Sequence, residues 1–88
     1  MADTFLLEVA TPERLLVNEQ VSEAQVPAAN GYLGILPGHA PLLAELGAGE
    51  LSYVVAGRRR ALKIDGGWLE ISADHARELA NAAEEVGE

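Results

Sequence analysis

The sequence contains no cysteine, which excludes disulfides, thiolate metal sites and cysteine nucleophiles together. Histidine is nearly as scarce. His39 and His75 stand far apart in the chain, and no G-x-S-x-G, P-loop or H-E-x-x-H pattern accompanies them, so a small hydrolase is disfavoured. Basic residues are also few: six Lys and Arg stand against fourteen Asp and Glu, for a net charge of -8. That balance argues against nucleic acid, whose binding draws its affinity from lysine and arginine neutralising phosphates. Long apolar runs are missing too. The least charged stretch, Leu33 to Ala44, is broken by Gly and Pro and falls short of the ~20 residues that span a bilayer. Met1-Ala2-Asp3 places an acid where the basic region of a secretory signal would stand. The sequence therefore predicts a cytoplasmic chain that meets a membrane only through a partner.

What is present reads as one small globular domain. Eighty-eight residues can bury only about 60–65% of their unfolded surface, so the core must be economical. An apolar share of 49% with 23% charged residues is ordinary globular composition rather than disorder. The acids are scattered singly, the pattern of solvated faces, and Glu84-Glu85 is a tail pair rather than a paired-carboxylate site. No cofactor is expected. The one basic cluster, Arg58-Arg59-Arg60, follows Gly57 and is read as a solvated hairpin tip with a contact to an acidic neighbour as the alternative.

Short strands separated by turns account for most of the chain. Thr4 to Ala10 alternates, with Phe5, Leu7 and Val9 on one face. Leu15-Leu16-Val17 is a continuous apolar run that suits a buried strand or a single helical turn, and the strand is chosen because its neighbours are strands. Val21 to Val26 alternates weakly and ends at Pro27, which suggests an edge. Glu50 to Ala56, after a flexible joint at Gly47-Ala48-Gly49, aligns Leu51, Tyr53 and Val55. Leu62 and Ile64 carry the alternation back from Gly57, and Asp65-Gly66-Gly67 is a hairpin signal leading to Trp68–Ser72, with Leu69 and Ile71 inward. Seven or more such strands predict an all-β sandwich or flattened barrel of short antiparallel strands.

The stretch from Ala29 to Leu43, A-N-G-Y-L-G-I-L-P-G-H-A-P-L-L, is the most constrained part of the chain. Asn30-Gly31 and Pro37-Gly38 are turn signals that bracket one short strand, and Pro41 biases Ala40 toward an extended conformation, so a further strand leaves at Leu42. His39 is left at the tip without convergent partners for catalysis or metal binding.

The run G-Y-L-G-I-L-P-G-H-A-P-L-L resembles the central signature of the epsilon subunits of F-type ATP synthases. T-F-L-L-E-V-A-T-P-E-R near the amino terminus, I-D-G-G-W-L-E-I-S and the alanine-rich L-A-N-A-A-E-E are similar to stretches of that family at the same places. The resemblance implies a non-catalytic central-stalk subunit. Its amino-terminal β-sandwich, here residues 1–81, binds the gamma subunit of F1 and the membrane rotor (c) ring, and couples ion translocation to ATP synthesis. It implies a peripheral location on the cytoplasmic side of a bacterial inner membrane. The regulatory helical hairpin of the family is not carried over, because residues 82–88 would be only the start of a tail or linker. The implied rotor-ring contacts are Gly31, Tyr32, Gly38 and His39, with Tyr32 standing where some members have an acid. The implied gamma contacts are Ala10, Thr11, Leu42 and Leu43. A stand-alone β-sandwich interaction module is the alternative reading.

The last residues pull two ways. Ala76, Leu79, Ala80, Ala83 and Val86 nearly fit a helical stripe with Asp74 as its cap. The resemblance implies a final strand to Ala80. The strand is expected to Ala80, with a frayed or helical tail beyond, and His75 as a surface residue.

Overall fold

The computed structural model describes residues 3–86. Seven strands run in chain order: β1 (Phe5–Ala10), β2 (Leu15–Val21), β3 (Glu23–Ala28), β4 (Gly31–Ile35), β5 (Leu42–Val55), β6 (Arg58–Ser72) and β7 (His75–Glu85). They form one sheet in the order β2-β1-β7-β6-β5-β3-β4. Among the described residues there is no helix. The all-β sandwich expected from the sequence is the fold, with two differences: β5 and β6 are long, and β1 pairs with β7 in parallel.

The period-two pattern explains the layers. Phe5, Leu7 and Val9 of β1 are buried, as are Leu51 and Tyr53 of β5 and Leu62, Ile64, Leu69 and Ile71 of β6. Side chains from the two edge strands, Val17 and Val21 on β2 and Ile35 on β4, enter the same core. β2 also packs against β5, from which three strands separate it in the sheet. One sheet has therefore folded over itself and buried one face.

The fold-over has a definite line. Pairing between β5 and β6 is interrupted at Gly47 and Gly66, and between β6 and β7 at Gly66 and Asn81, without a change of register on either side. The glycines read as a joint and a hairpin are thus the corner of continuous strands. Asp65-Gly66-Gly67 does not reverse the chain; Gly66 has φ 73° and Gly67 φ 116°. A side chain at Gly67 would collide with the Leu79 carbonyl oxygen of β7, so the bare backbone is what lets the neighbouring strand approach. Gly49 makes similar room for Pro27 and Tyr32.

Three other expectations need correction. Val21–Val26 is not one edge strand: Val21 ends β2, and β3 lies between β5 and β4. Pro27 is accommodated there because the β3–β5 register is broken between Gln25 and Ala28, where its missing N–H leaves no ladder bond unmade. Asp74 caps no helix. With Ala73 it makes the β6–β7 turn, at φ 49° and 59°, in the left-handed region that Asp tolerates. The final strand continues through residues 82–85, paired with Leu62–Asp65 of β6, because a complete ladder outweighs the helix propensity of Ala and Glu. Residues 87 and 88 of the expected tail lie outside the described residues.

Gly67→Ala is expected to destabilise the fold by at least about 2 kcal/mol in urea denaturation, since the added methyl meets backbone and the φ disfavours any side chain. Lys63→Ala, on the exposed face of the same strand, should stay within about 0.5 kcal/mol. Equal effects would refute the corner.

Candidate functional site

The constrained stretch builds two separate features at the two ends of β4. At one end, Ala29 and Asn30 turn the chain and Gly31 follows at φ 125°. Tyr32 then lies across β3, opposite Pro27, and its hydroxyl accepts a hydrogen bond from the Glu50 N–H at 3.0 Å. At the other end, the His39 N–H donates to the Leu36 carbonyl at 3.2 Å and closes a turn over Pro37 and Gly38. The Gly38 N–H donates to Asp74 Oδ1 at 2.8 Å, tying this turn to the β6–β7 turn. His39 Nδ1 lies 2.7 Å from the Ala40 carbonyl. A carbonyl only accepts, so Nδ1 carries the proton and Nε2 is left open. Tyr32 and Ile35 are about 10 Å apart at strand rise, and His39 lies further on, so the structure does not bring Tyr32 and His39 together. A shallow crevice beside the turn, lined by Phe5, Ile35, Leu36, His39, Ile71, Asp74 and His75, has no room for a water.

The four residues assigned to gamma fall differently. Leu42 packs against the core, whereas Leu43 is 68% exposed. Ala10 ends β1 on its half-exposed face, and Thr11 opens the β1–β2 turn, its N–H donating to the Arg14 carbonyl at 2.9 Å.

Around Ala10 the sheet assembles a row that the sequence reading did not single out. Trp68 pairs with Leu79, Leu79 with Ala10, and Ala10 with Leu15. Trp68 is 53% exposed, Leu79 54% and Leu15 52%. A bulge between β1 and β2 at Val9 and Ala10 turns Leu16 and Val17 toward the core and leaves Leu15 outside, which resolves the continuous Leu15-Leu16-Val17 run. Single exposed leucines are ordinary, but large apolar side chains in adjacent register across four strands, about 14 Å wide, are not. Trp68 was legible as lying opposite Leu69 and Ile71. Leu79 was not, because the alternation of the expected strand to Ala80 puts a glutamate inward and this leucine outward, the reverse of what their polarity suggests.

The next row of the same outer face is charged. Glu8 meets His75 at 2.5 Å and the Arg77 guanidinium at 3.7 Å, so His75 is a half-buried clasp between β7 and β1. At the far end of the molecule, Arg58, Arg59 and Arg60 open β6 beside the Ala56-Gly57 turn and border an open hollow of about 650 Å³ with Tyr53 and Glu85. Arg59 bonds to Glu23 at 3.5 Å and to the Ser52 hydroxyl at 3.3 Å, both exposed. Burial raises the Tyr53 phenol above its ordinary value, with Arg60 opposing and Glu19 and Glu85 adding. Among the described residues no group of three or more His, Cys, Asp or Glu could hold a metal ion.

The fold itself sets the class: a small β-sandwich made from one continuous sheet. The chain belongs to the family described as ATP synthase, Delta/Epsilon chain, beta-sandwich domain, which matches residues 4–86. It is similar to the ATP synthase epsilon chain of Solibacter usitatus, 61% identical over 88 residues, covering all of this chain and 66% of that one. The ATP synthase epsilon chain of Koribacter versatilis is 49% identical over 84 residues, covering 96% of this chain and 59% of that one. The chain thus spans about three fifths to two thirds of those relatives' lengths. In fold it is similar to a chain of the Euglena gracilis mitochondrial ATP synthase OSCP/F1/c-ring structure. The TM-score is 0.89 at 19% identity, over 97% of this chain and 55% of that one. It is also similar to a chain of the Tetrahymena thermophila central stalk/c-ring structure. There the TM-score is 0.77 at 17% identity, over 91% of this chain and 65% of that one.

Asp74→Gly keeps the left-handed turn but removes the acceptor for the Gly38 N–H, at a cost of about 1 kcal/mol. Hydrogen exchange at the Gly38 amide should accelerate in Asp74→Gly and much less in Asp74→Asn, which retains an oxygen there. Unchanged exchange in both would mean the two turns are not coupled.

Proposed function

We propose that this chain acts as the amino-terminal domain of the epsilon subunit in the F1 part of a rotary F-type ATP synthase, as a non-catalytic element of the central stalk. The observation that carries the proposal is the apolar row of Trp68, Leu79, Ala10 and Leu15, with Leu43 close by on the same outer face. Half-exposed tryptophan and leucine in contact are the anchors of a protein interface, and the neighbouring Glu8, His75 and Arg77 supply a polar border that fixes register. Gamma is the partner proposed for this face, with Ala10, Thr11 and Leu43 in contact and Leu42 supporting Leu43 from within. The rotor ring is proposed to meet the β3–β4 turn through Gly31 and Tyr32, with Gly38 and His39 contributing from the turn that follows β4. Tyr32 offers an aromatic contact there in place of a charge. Torque would pass from ring to gamma through a rigid sandwich, which suits ion translocation coupled to ATP synthesis. The domain would be peripheral on the cytoplasmic side of a bacterial inner membrane and held there by its partners. Among the described residues no helix is long and apolar enough to cross a membrane.

Titration with the gamma subunit of the same source tests the reading. Trp68 is the single tryptophan, so its emission should shift to the blue on binding. Leu79→Ser should weaken binding at least tenfold while thermal denaturation shows the fold intact. Binding that leaves Trp68 emission and the Leu79→Ser affinity unchanged would move the interface elsewhere. No binding by folded partners would favour a stand-alone interaction module.

A further inference from the structure

Glu78 is the one charged residue type in the buried set of the described residues. It is 0% exposed, and neither carboxylate oxygen has a hydrogen-bond partner. Its place in the ladder explains the burial. β7 points Ala76, Glu78 and Ala80 inward, and Glu78 is in register with Val9 of β1 on one side and Leu69 of β6 on the other, both fully buried. A long acid thus occupies the middle of a row that is otherwise aliphatic, where an ionised carboxylate would have neither water nor donor.

We propose that Glu78 is a proton-dependent latch on the seam joining β1, β7 and β6: the sandwich closes on its neutral carboxylic acid and loosens when that group ionises. The surroundings leave no charge to stabilise the anion. From β1 the inward side chains are Phe5, Leu7 and Val9; from β6 they are Leu62, Ile64, Leu69 and Ile71. The facing part of the core is apolar apart from Tyr53, whose electrostatic neighbours are Arg60, Glu19 and Glu85. The titratable and charged groups of the seam lie on the outer face: Glu8, His75 and Arg77 are engaged with one another, Glu70 stands opposite Arg77, and Lys63 opposite Glu84. Burial alone accordingly pushes the Glu78 carboxyl up to about 8 from 4.5.

The direction of the pH effect follows. A group that binds its proton more tightly in the folded state contributes stability that is complete below the unfolded value and is lost as pH rises toward the folded one. Between pH 4.5 and about 8 the folded state holds a proton that the unfolded chain has released, so each pH unit costs about tenfold in the folding constant. This is the reverse of the usual acid denaturation by paired carboxylates.

Two measurements on the full chain decide it. In urea titrations from pH 5 to pH 9, the wild-type folding constant should fall by about tenfold per unit relative to Glu78→Gln up to about pH 8, then run parallel to it. Carbon-13 NMR of the folded wild type should show the Glu78 carboxyl titrating well above its unfolded value of 4.5. Parallel urea curves across the whole range, or a Glu78 midpoint within one unit of 4.5, would overturn the proposal. If Glu78→Gln does not fold, the wild-type NMR midpoint decides alone.

Discussion

The whole molecule depends on one row of backbone, Gly47, Gly66 and Asn81, along which three neighbouring strands bend together. A seven-stranded sheet of this size left open would expose one apolar face to water. Bending it along a single line brings the edge strand β2 onto β5 and converts that face into a core, without adding a helix or a second sheet. The bend needs residues with no side chain on the crowded side, and Gly67 supplies the closest approach, against Leu79 of β7. Everything on the surface is positioned by this choice. The long strands carry one segment through each layer, so the β3–β4 turn and the Trp68 row are held by the same continuous pieces of chain.

The two faces of the β1–β7–β6 layer differ in chemistry. Outside, apolar and charged rows lie side by side, with Glu8 bridging the strands through His75 and Arg77. Solvent-facing pairs that are only partly covered, as these are, contribute on the order of 1 kcal/mol each, so they set register more than stability. Inside, the same strands meet through Leu7, Val9, Leu69 and Ala76, and a carboxyl intrudes only at Glu78. The seam is therefore weakly held by charge on its wet side and burdened by an acid on its dry side. Apolar packing carries it.

Much of this was legible in the residues, because alternation survives in a sheet with one buried face. Phe5, Leu7, Val9, Leu51, Tyr53, Leu62, Ile64, Leu69 and Ile71 all lie inward as their period predicts. The family resemblance likewise placed the final strand that propensity alone would have made a helix. Glycine was the main source of error. Asp65-Gly66-Gly67 has the composition of a hairpin, and nothing local distinguishes a reversal from a corner whose purpose is the approach of a strand more than ten residues away. The site was legible only in part. Trp68 could be placed outside by alternation, but its alignment with Leu79 and, beyond it, Ala10 is a product of register between strands that are distant in sequence. The burial of Glu78 was unreadable for the same reason, since a single acid in an alanine-rich segment looks solvated.

The parallel pairing of β1 with β7 carries a consequence for how the chain acquires its shape. It joins Leu6–Ala10 to His75–Leu79, nearly the two ends of the described sequence, whereas β1–β2, β3–β4, β5–β6 and β6–β7 are all local hairpins. Local pairings close early and distant ones late, because the loop entropy of the intervening chain has to be overcome first. During synthesis the β1–β2 hairpin must wait, with Phe5, Leu7 and Val9 unburied, until β7 has left the ribosome. The first hairpin to be made is thus the last to be enclosed, and in that interval its apolar strand is the part of the molecule most open to wrong partners.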